Sequence, residues 1–169
     1  MRVLSVVVAL LCLAGAAVAQ EPSGKPNGDL AGVMRGILFP NSNLIFDAQT
    51  NDPGAPPEAA GGNSVTATFS GIYTGWEVVQ NAAIALSEAA NLIMMPGRLC
   101  ENGRPVPVER DDWKEYAQGL EESGRKAYAA ALAEDQEQVI EVTNDVAGAC
   151  ENCHIAFRDK PGDAPRCVP

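Results

Sequence analysis

Histidine is almost missing from this chain: His154 is the only one among 169 residues. Any site that needs an imidazole therefore has a single choice, and chemistry needing a second histidine as acid–base catalyst has no source for it. Basic residues are also scarce, with 12 Lys and Arg against 22 Asp and Glu and a formal charge of −10. Such a balance excludes a nucleic-acid binder, which needs a basic footprint. No stretch alternates as a β-strand does, and no segment repeats, so sheet and solenoid architectures are not expected. Long apolar runs are confined to the N-terminus. Val3 to Ala19 is apolar and small, but its strongly apolar part is shorter than the ~20 residues that span a bilayer.

That terminal run has another reading. Arg2 supplies a short positive region, and Ala17-Val18-Ala19 fits an Ala-x-Ala cleavage site. Residues 1–19 thus read as a secretory signal peptide, with the mature chain starting at Gln20 and no membrane insertion after cleavage. Leu11 before Cys12 argues against a lipoprotein, which wants a small residue there. Taking residues 1–19 from 169 leaves 150, one domain's worth. Losing Arg2 moves the formal charge from −10 to −11, which suits solubility and would also steer the protein toward a partner with a basic docking surface.

What the chain does have is Cys150-Glu151-Asn152-Cys153-His154. This is Cys-x-x-Cys-His, the attachment signature of a c-type haem. Two thiols one helical turn apart can each form a thioether to a haem vinyl group, and the adjoining histidine can reach the iron as proximal ligand. A thioredoxin-like dithiol should open a helix after a buried strand, whereas this motif sits late in a helical pattern. A zinc site wants ligand pairs at separated spacings, and only Cys100 lies upstream. One covalent haem c is the expected cofactor, with Cys150 and Cys153 holding it and His154 binding its iron. Attachment outside the bacterial cytoplasm agrees with the signal peptide and makes the expected location periplasmic.

Of five cysteines, Cys12 goes with the signal and two belong to the motif. Cys100 and Cys167 remain, in a compartment that permits a disulfide; two free thiols are the alternative.

The periodicity predicts four helices. Asp29 is a candidate N-cap for the first, with Leu30, Val33, Met34, Ile37 and Leu38 at helical spacing, and Pro40 is expected to kink or end it. Residues 47–70, rich in Pro, Gly, Asn and Ala, read as a loop. The second helix is expected from about Ser70 to Met95, with Ile72, Trp76, Val79, Ala83, Leu86, Ala90 and Ile93 as its apolar stripe. A loop over 96–110 holds Cys100. The third helix starts near Asp111 or Asp112 and carries Trp113, Tyr116, Ala117, Leu120, Ala127 and Tyr128. After a break at 133–135, the fourth presents Val139, Ile140, Thr143, Val146, Ala147, Cys150, Cys153, His154 and Phe157 on one face until Pro161-Gly162. The fold class is therefore all-α: an antiparallel up-down four-helix bundle with haem near the C-terminal end of the last helix.

In that topology Cys100 and Cys167 share one end, as a bridge requires. His154 lies about six residues before the end of the fourth helix, or roughly 9 Å, and Met34 roughly 7–8 Å into the first. Met34 is then the foremost candidate sixth ligand, ahead of Met94 and Met95 at the tip of the second helix. The competing reading is a methionine that merely fills the core.

The run Val146-Ala147-Gly148-Ala149-Cys150-Glu151-Asn152-Cys153-His154-Ile155-Ala156-Phe157-Arg158 resembles the last helix of class II c-type cytochromes, the cytochrome c′ proteins and their low-spin, methionine-ligated relatives. Trp113 opening the third helix is a weaker match, and Met34 in Val33-Met34-Arg35 falls where low-spin members carry their axial methionine. The resemblance is specific over the last helix only. The long loop after the first helix, Cys100, Cys167 and the tail after Pro161 depart from the pattern. It implies that Arg158 lies at the haem edge, where it can pair with a propionate, and that Phe157 and Trp113 pack the core. It also implies pairing through the first two helices, so a homodimer is among the expected partners.

Two functions follow. With His154 and Met34 on opposite sides of the iron, no coordination position is open, which suits a one-electron carrier passing electrons to redox partner proteins rather than an enzyme. With Met34 only packing over the iron, a pocket of Val33, Met34 and Ile37 would admit NO or CO, as in typical cytochrome c′ proteins.

Overall fold

The computed structural model describes residues 24–56, 73–159, 161–162 and 165–168. The expected signal peptide, and Ser70 and Ile72 at the expected start of the second helix, lie outside them.

The described residues are helical and contain no strand; an isolated β-bridge pairs Leu99 with Pro105. The first helix, α1, is continuous from an α-helical Leu30–Val33 through a π-turn at Met34–Leu38 to an α-helical Phe39–Phe46. It is followed by α2 (Trp76–Ile93), α3 (Asp111–Leu132) and α4 (Gln136–Phe157).

Local chemistry accounts for most of the boundaries. The Asp29 carboxylate accepts the Gly32 N–H at 2.7 Å and caps α1, as its sequence position suggests. Pro40 does not end α1. Having no N–H, it cannot bond the Gly36 carbonyl. The chain relieves the mismatch with a π-turn, in which the Phe39 N–H reaches back to the Met34 carbonyl. At Gly75, φ is +57° and an added Cβ would lie 2.5 Å from the Pro53 carbonyl oxygen, so the chain turns sharply there and α2 begins at Trp76. Between α3 and α4, Glu134 takes φ +53°, and Asp135 caps α4 by accepting the Gln138 N–H. The last helix stops at Phe157, short of Pro161-Gly162. The Arg158 and Asp159 N–H groups both turn back to the His154 carbonyl, and the Arg158 side chain pairs with the Asp159 carboxylate.

The helices bury one core. α2 packs along α3, α3 along α4, and α1 lies against α2 and reaches α4. Ile45, Val79, Leu86, Trp113, Val139 and Val146 are buried at its centre. The α2–α3 contact is close enough to require glycine at 124, where an added Cβ would sit 2.6 Å from the Ser87 backbone nitrogen. Gly124→Ala is expected to cost about 1–3 kcal/mol by overpacking, despite alanine's better helix propensity. A chemical-denaturation midpoint equal to that of the parent chain would refute this.

Two ties fix one end of the molecule. The start of α1 meets the segment after α2 through Leu30 N–H donating to the Leu99 carbonyl at 2.8 Å. The buried Arg98 guanidinium donates to the carbonyls of Leu92 and Gly28, so a cation closes the C-terminus of α2 while holding the chain that leads into α1. At the other end, the Gln136 amide donates to the Ala48 carbonyl, joining the start of α4 to the end of α1.

Candidate functional site

Between α1 and the last turns of α4 lies a cavity of about 610 Å³, lined along α1 from Leu30 to Phe46. That is within the roughly 300–1,000 Å³ range of small-molecule and cofactor sites. It collects the residues singled out from sequence: Cys150, Cys153, His154 and Arg158 from the last turns of α4, and Met34 from α1, all line it. Trp113, Tyr116, Leu120 and Phe157 supply much of the apolar wall. Trp113 and Phe157 also serve the core, as expected. Both are buried, their rings meet edge to face at 4.9 Å, and the indole N–H donates to the Ile93 carbonyl at 3.4 Å.

The shorter α4 changes the depth argument. His154 lies three residues before the last helical residue, roughly 4.5 Å in, and Met34 four residues after Leu30, roughly 6 Å in. The two stay at comparable depth. Met94 and Met95 do not line the cavity: Met94 caps the end of α2, and the Met95 sulfur lies 3.8 Å from the Arg98 guanidinium.

The expected wall of Val33, Met34 and Ile37 is only partly right. From α1 the cavity takes Leu30, Met34, Leu38, Ser42 and Phe46, with their neighbours Ala31, Arg35, Phe39 and Asn43, while Val33 and Ile37 join the core. The reason is the period. Steps of four drift by about 40° each in an α-helix, and the extra residue of the π-turn absorbs much of that drift. Pro40, expected to kink or end the helix, is accommodated by this π-turn.

Electrostatics separate the possible uses of the motif. Burial raises the Cys150 thiol above its usual pKa, against a lowering by Arg158. Burial, with smaller contributions from Cys150 and Asp112, pushes Cys153 up to about 12. A redox dithiol needs the opposite, a thiolate favoured by a helix N-terminus or nearby cation. Here both thiols lie near a helix C-terminus, whose dipole disfavours negative charge. Burial, helped by Arg158 and opposed by Asp159, lowers the His154 pKa and keeps the imidazole neutral with a lone pair to donate. Among the described residues no three His, Cys, Asp or Glu side chains are grouped to hold a metal ion. A porphyrin brings its own four nitrogens, so a haem asks the protein for no such group.

Neutral thiols, a neutral imidazole, a thioether and an apolar cavity form a donor set that fits a c-type haem. The thiol shifts also predict a reactivity. In haem-free chain at pH 8, iodoacetamide is expected to modify Cys153 at least ~100-fold more slowly in the folded state than in urea, where the thiol pKa returns to about 8.5. Equal rates would contradict the burial of the site.

Cys100 and Cys167 border the same cavity at disulfide distance, with Cα atoms 6.5 Å apart; Cys150 and Cys153 are unpaired with each other. The Cys167 N–H donates to the Phe157 carbonyl at 2.8 Å, which folds the tail back onto the end of α4. Sequence reasoning missed three charged lining residues, Arg35, Glu101 and Arg166. Arg35 adjoins Met34 on α1; Glu101 and Arg166 belong to no motif and are held by the cysteine pair beside them, by the Asn102 amide donating to the Arg166 carbonyl at 3.1 Å and by the Cys167 tie to Phe157. No protein-family model, curated protein or solved structure matches this chain.

Proposed function

We propose that the protein is a secreted, periplasmic c-type cytochrome of the class II kind, an antiparallel up-down four-helix bundle that carries single electrons between redox partner proteins. The observation that carries this reading is the convergence on one largely apolar cavity of Cys150, Cys153 and His154 with Met34. When bound there, a haem supplies a one-electron ferric–ferrous couple.

The chain's own residues do the rest. Cys150 and Cys153 hold the group as thioethers, one helical turn apart. His154, kept neutral by burial, offers its lone pair from α4. Met34, half-buried on α1, would offer a polarizable thioether. Trp113, Leu120 and Phe157 exclude water from the cavity wall. Low polarity and a methionine ligand both favour a raised reduction potential. The acidic surface suits brief docking to partners with basic faces. Among the described residues no helix is long and apolar enough to cross a membrane.

The apolar α1 wall, with Leu30, Ala31 and Leu38, supports a second reading in which Met34 only packs and the cavity admits NO or CO. Absorption spectra of the oxidised and reduced holoprotein, with and without CO, separate the two. The electron-carrier reading expects a low-spin reduced spectrum unmoved by CO; a high-spin spectrum with ready CO binding would overturn it.

A further inference from the structure

The charge on the cavity wall runs against the charge of the chain. Acidic residues outnumber basic ones by 22 to 12 overall, yet among the described residues the wall carries Arg35, Arg158 and Arg166 against one carboxylate, Glu101. The arrangement is built from three separate segments. Arg35 on α1 donates through Nη2 to Glu101 Oε1 at 2.6 Å, and Arg166 in the tail donates through Nη1 to Glu101 Oε2 at 2.9 Å. One carboxylate thus braces two guanidinium groups. Glu101 follows Cys100 and Arg166 precedes Cys167, so the cysteine pair at disulfide distance sets their spacing. Arg158 is differently placed: Asp159 takes its fork through two hydrogen bonds, at 2.6 and 3.1 Å.

We propose that Arg35 and Arg166, braced by Glu101, form the carboxylate-binding rim of this cavity, and that they rather than Arg158 alone receive the propionates of the haem. This rests on the haem reading above. The physical reason is that an anionic ligand entering an apolar cavity needs its carboxylates matched where they meet the wall, and a guanidinium fork does this with strong, charge-assisted hydrogen bonds. Glu101 has two effects of opposite sign. It orders the two arginines, and it offsets part of their charge.

The test uses purified holoprotein. Arg35→Gln, Arg166→Gln and Glu101→Gln are compared by resonance Raman bands of the haem propionates and by midpoint potential. Each arginine variant is expected to shift the propionate bands and lower the potential, because a cation beside the haem is lost. Glu101→Gln is expected to raise it. A purely structural brace predicts shifts of one sign in all three, or none. Arg35→Lys and Arg166→Lys keep the charge and lose the fork, so each is expected to hold the potential while still moving the propionate bands. They serve in place of any glutamine variant that does not fold. Holoprotein whose propionate bands are unmoved in the arginine variants would overturn the assignment alone. Purified chain carrying no haem would overturn the haem reading and the assignment with it.

Discussion

Met34→Ala is expected to convert a low-spin holoprotein that ignores CO into a high-spin one that binds it readily. The size of the effect follows from a population argument. If the thioether leaves the iron in about 1% of molecules, an external ligand sees its affinity reduced by that fraction, so removing Met34 raises apparent CO affinity ~100-fold. Met34 is half-buried, so loss of its packing is the smaller consequence. CO titration of reduced parent and variant, followed in the visible spectrum, reads the change. Equal affinities would show that Met34 only packs and would favour the gas-binding reading.

Replacing Cys100 and Cys167 together by serine is expected to destabilise the protein by about 2–4 kcal/mol. The two residues are separated by 67 positions, and closing a loop of that length removes about 4 kcal/mol of unfolded-state chain entropy. The loss should appear as a lower urea midpoint. Absorption of the folded holoprotein should change little, because the pair lies at the rim and supplies no ligand. Thiol titration of the unfolded, unreduced parent offers a companion check, since a bridge leaves neither Cys100 nor Cys167 reactive. An unchanged midpoint in the double variant would remove the bridge from the account.

How far the sequence reveals this molecule depends on whether a feature is local. The cap at Asp29, the apolar stripes of α2 and α3, and the break at 133–135 rest on neighbours a few residues apart, and they were legible. Cys150, Cys153 and His154 were legible for the same reason, being one turn of one helix. Met34 needed a step across the fold, and helical depth supplied it because rise per residue converts sequence into distance.

The failures are equally physical. Pro40 signals a missing hydrogen bond, but whether a helix ends or absorbs the defect in a π-turn depends on the core against it. Here Leu38, Leu44 and Ile45 are buried on both sides of the proline and keep the helix continuous. Val33 and Ile37 lie one residue off the row of Leu30, Met34 and Leu38 and pack into the core, not the cavity wall. α4 ends at Phe157, where the Arg158 and Asp159 N–H groups turn back to the His154 carbonyl, ahead of the Pro161-Gly162 stop signal. Glu101 and Arg166 lie 65 positions apart and meet only where the tail folds back onto the end of α4, so no window of sequence shows the rim.

The central claim is that this chain holds a haem covalently through Cys150 and Cys153. Its most direct test is the absorption spectrum of the purified mature chain after unfolding and extraction with acidified organic solvent. The account predicts one haem per chain that stays with the polypeptide, and none that does so in the Cys150→Ala, Cys153→Ala double variant. Haem that is extracted from the parent chain, or a purified chain with no haem absorption, would contradict it.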